Sequence, residues 1–208
     1  MTLSHGFFIT LEGPEGSGKS SQEHWLRQYL KRAGYKVTSL RDPGSTSLGR
    51  QLRKALLHTS AALSPMAEAL LFIGGRVQLV EERIAPALAQ GRVVVCDRFH
   101  DSTVAYQGFG GGLHVAWLDR LGRQAIHHVM PHLTILLDVP TSKGFSRLRR
   151  RHDRMERKAA QFHRRVRAGY LRLAKREPKR FEILNASRSP AAVRRQLEAV
   201  VTRRLRGA

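Results

Sequence analysis

The sequence predicts an α/β domain built on a parallel sheet with helices on both faces. Apolar runs that read as strands alternate with helically periodic segments through the 208 residues. One of these runs, Val93-Val94-Val95-Cys96, is continuously apolar, the pattern of a central strand buried on both sides. The first strand-to-helix junction is Gly13-Pro14-Glu15-Gly16-Ser17-Gly18-Lys19-Ser20, a G-x-x-x-x-G-K-S loop in the context that gives such a loop its meaning.

The elements follow in order. Phe7 to Leu11 is the first strand, and Trp25, Leu26, Tyr29, Leu30 and Ala33 mark the helix after the loop. Gly34 ends that helix, Tyr35 to Leu40 alternates as a second strand, and Arg41-Asp42-Pro43-Gly44 turns the chain. A helix through Leu48, Leu52, Ala55 and Leu56 precedes Ser64-Pro65, a good N-cap and first helical position. The helix they open, over 65–90, carries Met66, Leu70, Ile73, Val77, Val80 and Ile84 at spacings of three and four, one stripe for the core. Phe72 and Arg76 project together from another face, either as a plate and guanidinium for a planar base or as an edge-of-core Phe beside a solvated Arg. After Gly91 comes the Val93 strand, delivering Asp97-Arg98 at its carboxyl end, where ligands sit in open α/β sheets. A helix over 114–126 follows, then strands over His132–Asp138 and Phe181–Asn185, with long basic helical segments at 142–151 and 156–176. No repeat or linker divides the chain, so one domain (1–208) is expected.

Composition narrows the functional classes. With 41% hydrophobic residues the chain can bury a sizeable core. Cys96, the only cysteine, stands inside an apolar strand, which excludes an internal disulfide framework and predicts a buried thiol. No run reaches the length of a membrane span, and a cytoplasmic location is expected. The net charge of +21 is concentrated in the stretch from Lys143 to Ala208, where 22 Lys and Arg face 5 Asp and Glu. That excess fits either a polyanionic partner or solvated basic helix faces.

The loop implies a bound nucleoside triphosphate. Its glycines let backbone N–H groups converge on phosphate oxygens, Lys19 adds charge, and the Ser20 hydroxyl can ligate Mg²⁺ beside Asp97. Arg98 points into the same mouth, and Arg147, Arg149, Arg150, Arg151 and Arg154 form a cluster without an apolar stripe, which reads as a lid over about 147–158 or as a solvated helix. Lysine, magnesium and several arginines suffice for phosphoryl transfer, which needs positioning and charge neutralisation more than covalent chemistry.

At this point the residues resemble the bacterial thymidylate kinases, which transfer the γ-phosphate of ATP to dTMP. The match runs from Phe7 to about Val200 and includes the phosphate loop, Arg41-Asp42-Pro43-Gly44, Glu68-Ala69-Leu70-Leu71-Phe72 through Arg76, Asp97 to Gly108, Pro131 to Asp138 and Asp153-Arg154-Met155-Glu156. The resemblance implies a five-stranded P-loop kinase fold with a short basic lid. It implies that Phe72 stacks on thymine, that Arg76 meets a base carbonyl, and that Thr103 and Gln107 hold further base-contacting positions. Arg53 and Arg98 match arginines on the dTMP phosphate, Asp42 takes the place of a glutamate near the sugar and metal, and Tyr106 lines the sugar. Gly13 through Ser20 with Arg151 would hold ATP; Lys19, Asp97, Arg98 and Arg154 would be catalytic. Gly16 stands where one subclass has an arginine, which directs the catalytic arginine to the lid, with Arg154 as first choice. The family is generally homodimeric, with contact surfaces expected on the 65–90 and 114–126 helices. Four departures stand out: Asp42 for Glu, Ser45 for a second Gly, Gly74-Gly75 before Arg76, and a lid without the usual glycine. Two rivals remain at this level: a kinase of another pyrimidine nucleotide or deoxynucleoside, and a nucleic-acid-binding ATPase, which no recognisable nucleic-acid module supports.

Overall fold

A computed structural model describes residues 5–148 and 153–207. Its strands are β1 (Phe7–Glu12), β2 (Val37–Arg41), β3 (Val93–Asp97), β4 (Leu133–Asp138) and β5 (Phe181–Asn185), and they form one parallel sheet in the order β2-β3-β1-β4-β5. The register sets Ile9 beside both Val95 and Leu133. The helices are α1 (Lys19–Arg32), α2 (Ser47–His58), α3 (Pro65–Leu79), α4 (Ala85–Ala89), α5 (His100–Thr103), α6 (Val115–Ala125), α7 (Thr141–Phe145), α8 (Ala160–Arg176) and α9 (Pro190–Arg206).

Because successive strand residues face opposite sides, the three inner strands feed two cores at once. Phe7, Ile9, Leu11, Val95, Ile135 and Leu137 meet Leu26 and Leu30 of α1 and Val193, Leu197 and Val201 of α9. On the other face Phe8, Val94 and Cys96 pack with Leu79, Val80 and Ile84, while Leu136 packs with Val166 and Tyr170 of α8. Burial raises the Cys96 thiol pKa well above its usual value, as its sequence position predicts. Much of the excess basic charge is solvated or locally paired: α9 buries its apolar stripe and exposes Arg195, Arg203 and Arg206, Arg203 pairs with Glu182, and Arg167 pairs with Asp138.

Three expectations need correction. The apolar stripe of the 65–90 helix is broken: Ile73, Val80 and Ile84 are buried, but Met66 is 39% exposed and Leu70 53%. α3 turns inward the side carrying Glu68, Ala69 and Arg76, about 200° around the helix from Met66 at the position of Glu68, and Phe72 and Arg76 on that side wall the central cavity. The helix then passes through a π-helical turn at Val80–Ile84 before α4. β2 begins at Val37, not Tyr35, since the Tyr35 amide instead donates to Leu30 O in the turn that ends α1. The basic segments are shorter than expected: α7 stops at Phe145 and α8 starts at Ala160. Between them, Asp153 N donates to Glu156 Oε2 and Glu156 N to Asp153 Oδ1, a reciprocal cap that holds a turn.

Candidate active site

The phosphate loop leaves β1 with three positive-φ glycines, Gly13 (144°), Gly16 (66°) and Gly18 (88°), and enters α1 at Lys19. Gly16 has a second constraint: a Cβ there would lie 1.8 Å from Gly144 O, so α7 rests backbone to backbone on the loop. This contact gives a local reason why no side chain, arginine included, stands at Gly16. Lys19 is buried, its Nζ donating to Gly13 O and Pro14 O at 2.9 Å and to Ser17 Oγ at 3.3 Å. Burial and the neighbouring Arg98 pull its pKa down to about 8.

At the end of β3, next to the loop, Ser20 Oγ donates to Asp97 Oδ2 at 3.1 Å, and Arg41 Nη2 reaches the same oxygen at 3.1 Å. Asp97 Oδ1 is buried with no hydrogen-bond partner among the described residues. An unpartnered carboxylate oxygen beside a hydroxyl is a hard oxygen-donor pair. It suits Mg²⁺, which keeps most of its waters and takes few protein ligands beside phosphate.

Arg98 is the centre of a hydrogen-bonded cluster beside the loop. It occupies φ 69°, a conformation costing a non-glycine residue about 1–3 kcal/mol, and five contacts over-determine it. Nη1 donates to Gly13 O, Ser102 Oγ and Tyr170 OH at 3.2–3.3 Å, and Nη2 to Glu15 Oε1 at 3.0 Å and Tyr106 OH at 3.1 Å. Glu15, desolvated by burial, is nonetheless held down to about 2 by Arg98, Lys19 and the Tyr106 hydroxyl. Behind this group Glu12 accepts from Phe99 N, Ser102 Oγ and Tyr170 OH, and burial with the nearby Asp101 raises its carboxyl to about 7.

The wall formed by α3 holds Arg76, only 2% exposed. That excludes the solvated alternative for this residue. Its Nε donates to Asp42 Oδ2 at 2.6 Å, Nη2 to Thr103 Oγ1 at 2.9 Å, and the guanidinium lies over the Phe99 ring. Arg76 Nη1 and Asp42 Oδ1 are buried without partners among the described residues, and both residues line the cavity. Burial pushes the Asp42 carboxyl up more than Arg76 pulls it down. Nearby Gln107 Nε2 donates to Glu68 Oε2 at 3.0 Å, and Arg53 Nη1 to Pro43 O at 3.2 Å.

One cavity of about 740 Å³ joins these groups. Glu15 to Ser20, Asp97 and Arg98 border it together with Asp42, Arg53, Phe72, Arg76, Thr103, Tyr106 and Gln107, while Gly13 and Pro14 act from behind through their carbonyls. Arg151 lies outside the described residues. Arg154 does not border the cavity: its Nε donates to Leu56 O at 2.7 Å and its Nη1 pairs with Glu68 Oε1 at 2.7 Å. Among the described residues of the lid, the arginine that reaches the loop is Arg147, whose Nη1 donates to Gly16 O at 3.3 Å and Ala186 O at 2.9 Å. The sequence reading assigned no site role to Arg41, Glu12, Tyr170 or Glu68. Arg41 and Glu12 carried a usable signal, as polar residues at the carboxyl ends of apolar strands, but Tyr170 sits 158 positions from the Glu12 it contacts and carried none.

The phosphate loop and a wall carrying the Phe72 ring and the unpartnered Arg76 Nη1 thus share one cavity at the carboxyl ends of the strands. Comparison with known proteins agrees. The thymidylate kinase family model matches residues 11–197. The chain is 48% identical over 198 residues to a thymidylate kinase of Synechococcus sp., covering 95% of each. To that of Deinococcus radiodurans it is 43% identical over 204 residues, covering 97% of this chain and 99% of the relative. The crystal structure of thymidylate kinase from Ehrlichia chaffeensis superposes with a TM-score of 0.78 at 32% identity, covering 95% of this chain and 99% of that one. With the loop, the Asp97-Arg98 strand end and the Phe72–Arg76 wall all within the matched span, the chain belongs to the thymidylate kinase family.

Proposed function

We propose that this chain transfers the γ-phosphate of ATP to dTMP, giving dTDP and ADP. The observation that carries the reading is the single cavity in which Lys19 and the loop face Arg98, Phe72 and Arg76. ATP phosphates would rest on the loop N–H groups and the α1 N-terminus, with Lys19 toward the terminal phosphates. The dTMP base would stack on Phe72, with a ring carbonyl accepting from Arg76 Nη1, the buried donor that has no other partner among the described residues. Tyr106 closes the sugar end, while Arg53 and Arg98 take the acceptor phosphate. An oxygen of that phosphate attacks the γ-phosphorus, the bond to the β,γ-bridging oxygen breaks, and ADP leaves with those electrons. The acceptor phosphate is mostly dianionic near pH 7, with a second pKa of about 6, so no strong general base is required.

Mg²⁺ held by Ser20 and Asp97 would supply charge neutralisation on the donor phosphates. Arg98, fixed by Glu15, Tyr106, Ser102 and Tyr170, would meet the developing negative charge. Arg154, the lid arginine singled out from the sequence, would have to leave Glu68 and Leu56 O to join it. A second copy of the chain would cover the exposed Leu48, Met66 and Leu70 on α2 and α3, which supports a homodimer. No helix among the described residues is long and apolar enough to cross a membrane, and with the buried lone Cys96 this supports a cytoplasmic location.

The deciding experiment is coupled ADP release with dTMP, dUMP, UMP and thymidine as acceptors. A preference for dTMP is expected; equal turnover of all four, or ATP hydrolysis stimulated by nucleic acid without transfer to dTMP, would refute the reading.

A further inference from the structure

Glu68 is a carboxylate of α3 that the transfer chemistry above does not use, yet its side chain is only 1% exposed. Three donors converge on it. Gln107 Nε2 donates to Oε2 at 3.0 Å, Arg154 Nη1 to Oε1 at 2.7 Å, and Lys158 Nζ to Oε1 at 2.9 Å and Oε2 at 3.1 Å. Against the effect of burial, these donors lower its carboxyl pKa, which keeps it ionised.

An ionised carboxylate accepts and never donates, so the end of the Gln107 amide that faces Glu68 is the amino end. That choice leaves the carbonyl oxygen as the end free for a ligand, and Gln107 lines the base side of the cavity. Thymine and cytosine differ at this point in their hydrogen-bond sense: N3 of thymine carries a proton and donates, while N3 of cytosine is an acceptor. A fixed carbonyl matches the first and opposes the second. Arg76 Nη1, a donor on the same base pocket, has the same preference one ring atom away, donating to a carbonyl and opposing an exocyclic amino group.

We propose that Glu68 is a positioning residue for base selection: by capturing the Gln107 amino group it presents the Gln107 carbonyl oxygen to the N3 proton of an oxo-pyrimidine and selects against cytosine. The same carboxylate anchors Arg154 and Lys158 at the base of the lid, so the amide that reads the base and the lid segment share one acceptor. The inference rests on the dTMP reading above.

The test compares kcat/KM for dTMP and dCMP in wild type, Glu68→Gln and Lys158→Met. The amide in Glu68→Gln can donate or accept, which frees Gln107 to turn over; Lys158→Met removes a charge at Glu68 but leaves its acceptor oxygens. The dTMP:dCMP ratio is expected to fall by roughly tenfold in Glu68→Gln, mostly through KM, and to stay within about twofold of wild type in Lys158→Met. An unchanged ratio in Glu68→Gln, or an equal fall in Lys158→Met, overturns the assignment. A third arm needs no variant to fold: 3-methyl-dTMP, which lacks the N3 proton, should compete with dTMP on the wild-type protein roughly tenfold less well than unlabelled dTMP does, and equal competition overturns the assignment. A wild type that prefers another acceptor overturns the dTMP reading together with this one, whereas a dTMP-selective wild type with an unmoved ratio in Glu68→Gln overturns this one alone.

Discussion

Arg76 Nε and Asp42 Oδ2 are 2.6 Å apart, with side chains 2% and 0% exposed, so the guanidinium proposed to read the base is itself half of a buried ion pair. The pair ties α3 to the end of β2 and leaves one donor and one acceptor, Arg76 Nη1 and Asp42 Oδ1, unpartnered among the described residues.

Arg76→Ala is therefore expected to act twice. Stranding the Asp42 carboxylate should cost about 3 kcal/mol or more of stability, read from urea unfolding. Loss of the donor should abolish the preference for dTMP over other pyrimidine acceptors in the ADP-release assay. A folded variant with wild-type selectivity would refute the base-pocket role.

Arg98→Ala is expected to lower kcat by about 10²–10³, because it removes the guanidinium proposed to take the acceptor phosphate. Arg147→Ala should instead raise KM for ATP several-fold, by about 1 kcal/mol of lost binding, with little change in KM for dTMP. The two variants together separate the acceptor arginine from the lid arginine that contacts Gly16 O.

Lys19 predicts a pH dependence. Its pKa in the folded protein, about 8 against 10.5 for the free side chain, means that the unfolded chain binds more protons between those values. The unfolding free energy of the nucleotide-free protein should consequently rise with pH across that window. ATP affinity should do the opposite and weaken above about pH 8, as the ammonium proposed to meet the phosphates is lost. In Lys19→Arg, whose guanidinium stays protonated, calorimetric ATP binding over pH 7–9.5 should lose that slope; an identical slope in both proteins would assign it to another group.

Asp97→Asn should sharply reduce turnover and weaken the response to Mg²⁺, since it replaces one of two carboxyl oxygens beside Ser20 with an amide nitrogen, which cannot ligate the metal. Near-normal turnover across a magnesium titration would remove Asp97 from the metal site.

Two glycines offer a stability contrast. A Cβ on Gly74, exposed in α3, meets nothing within 4 Å, so Gly74→Ala should stabilise the protein by about 0.5–1 kcal/mol in thermal or urea unfolding. A Cβ on Gly75 lies 3.0 Å from Leu52 Cδ1, so Gly75→Ala should gain less or nothing. Gly16→Ala is blocked by both φ and Gly144 O and should lose nucleotide binding as α7 is pushed off the loop.

Much is legible in the sequence itself. The loop, all five strands and the parallel class follow from local features: glycine spacing, apolar runs and the strand-end positions of Asp42, Asp97 and Arg98, which a parallel sheet must carry to one edge. Phe72 and Arg76 were legible as a pair because helix geometry alone puts residues four apart on one face. What the sequence determined by itself is thus the set of short-range relationships, within a turn of helix or along a strand, together with the family those motifs resemble. Only the tertiary structure decided which way α3 faces, leaving Met66 and Leu70 outside, and that Arg154 pairs with Glu68 rather than bordering the cavity. It alone joined Glu12 to Tyr170 and Gly16 to Gly144. Such contacts join elements far apart in the chain, and their partners are chosen by how helices pack on the sheet, a choice no local periodicity records.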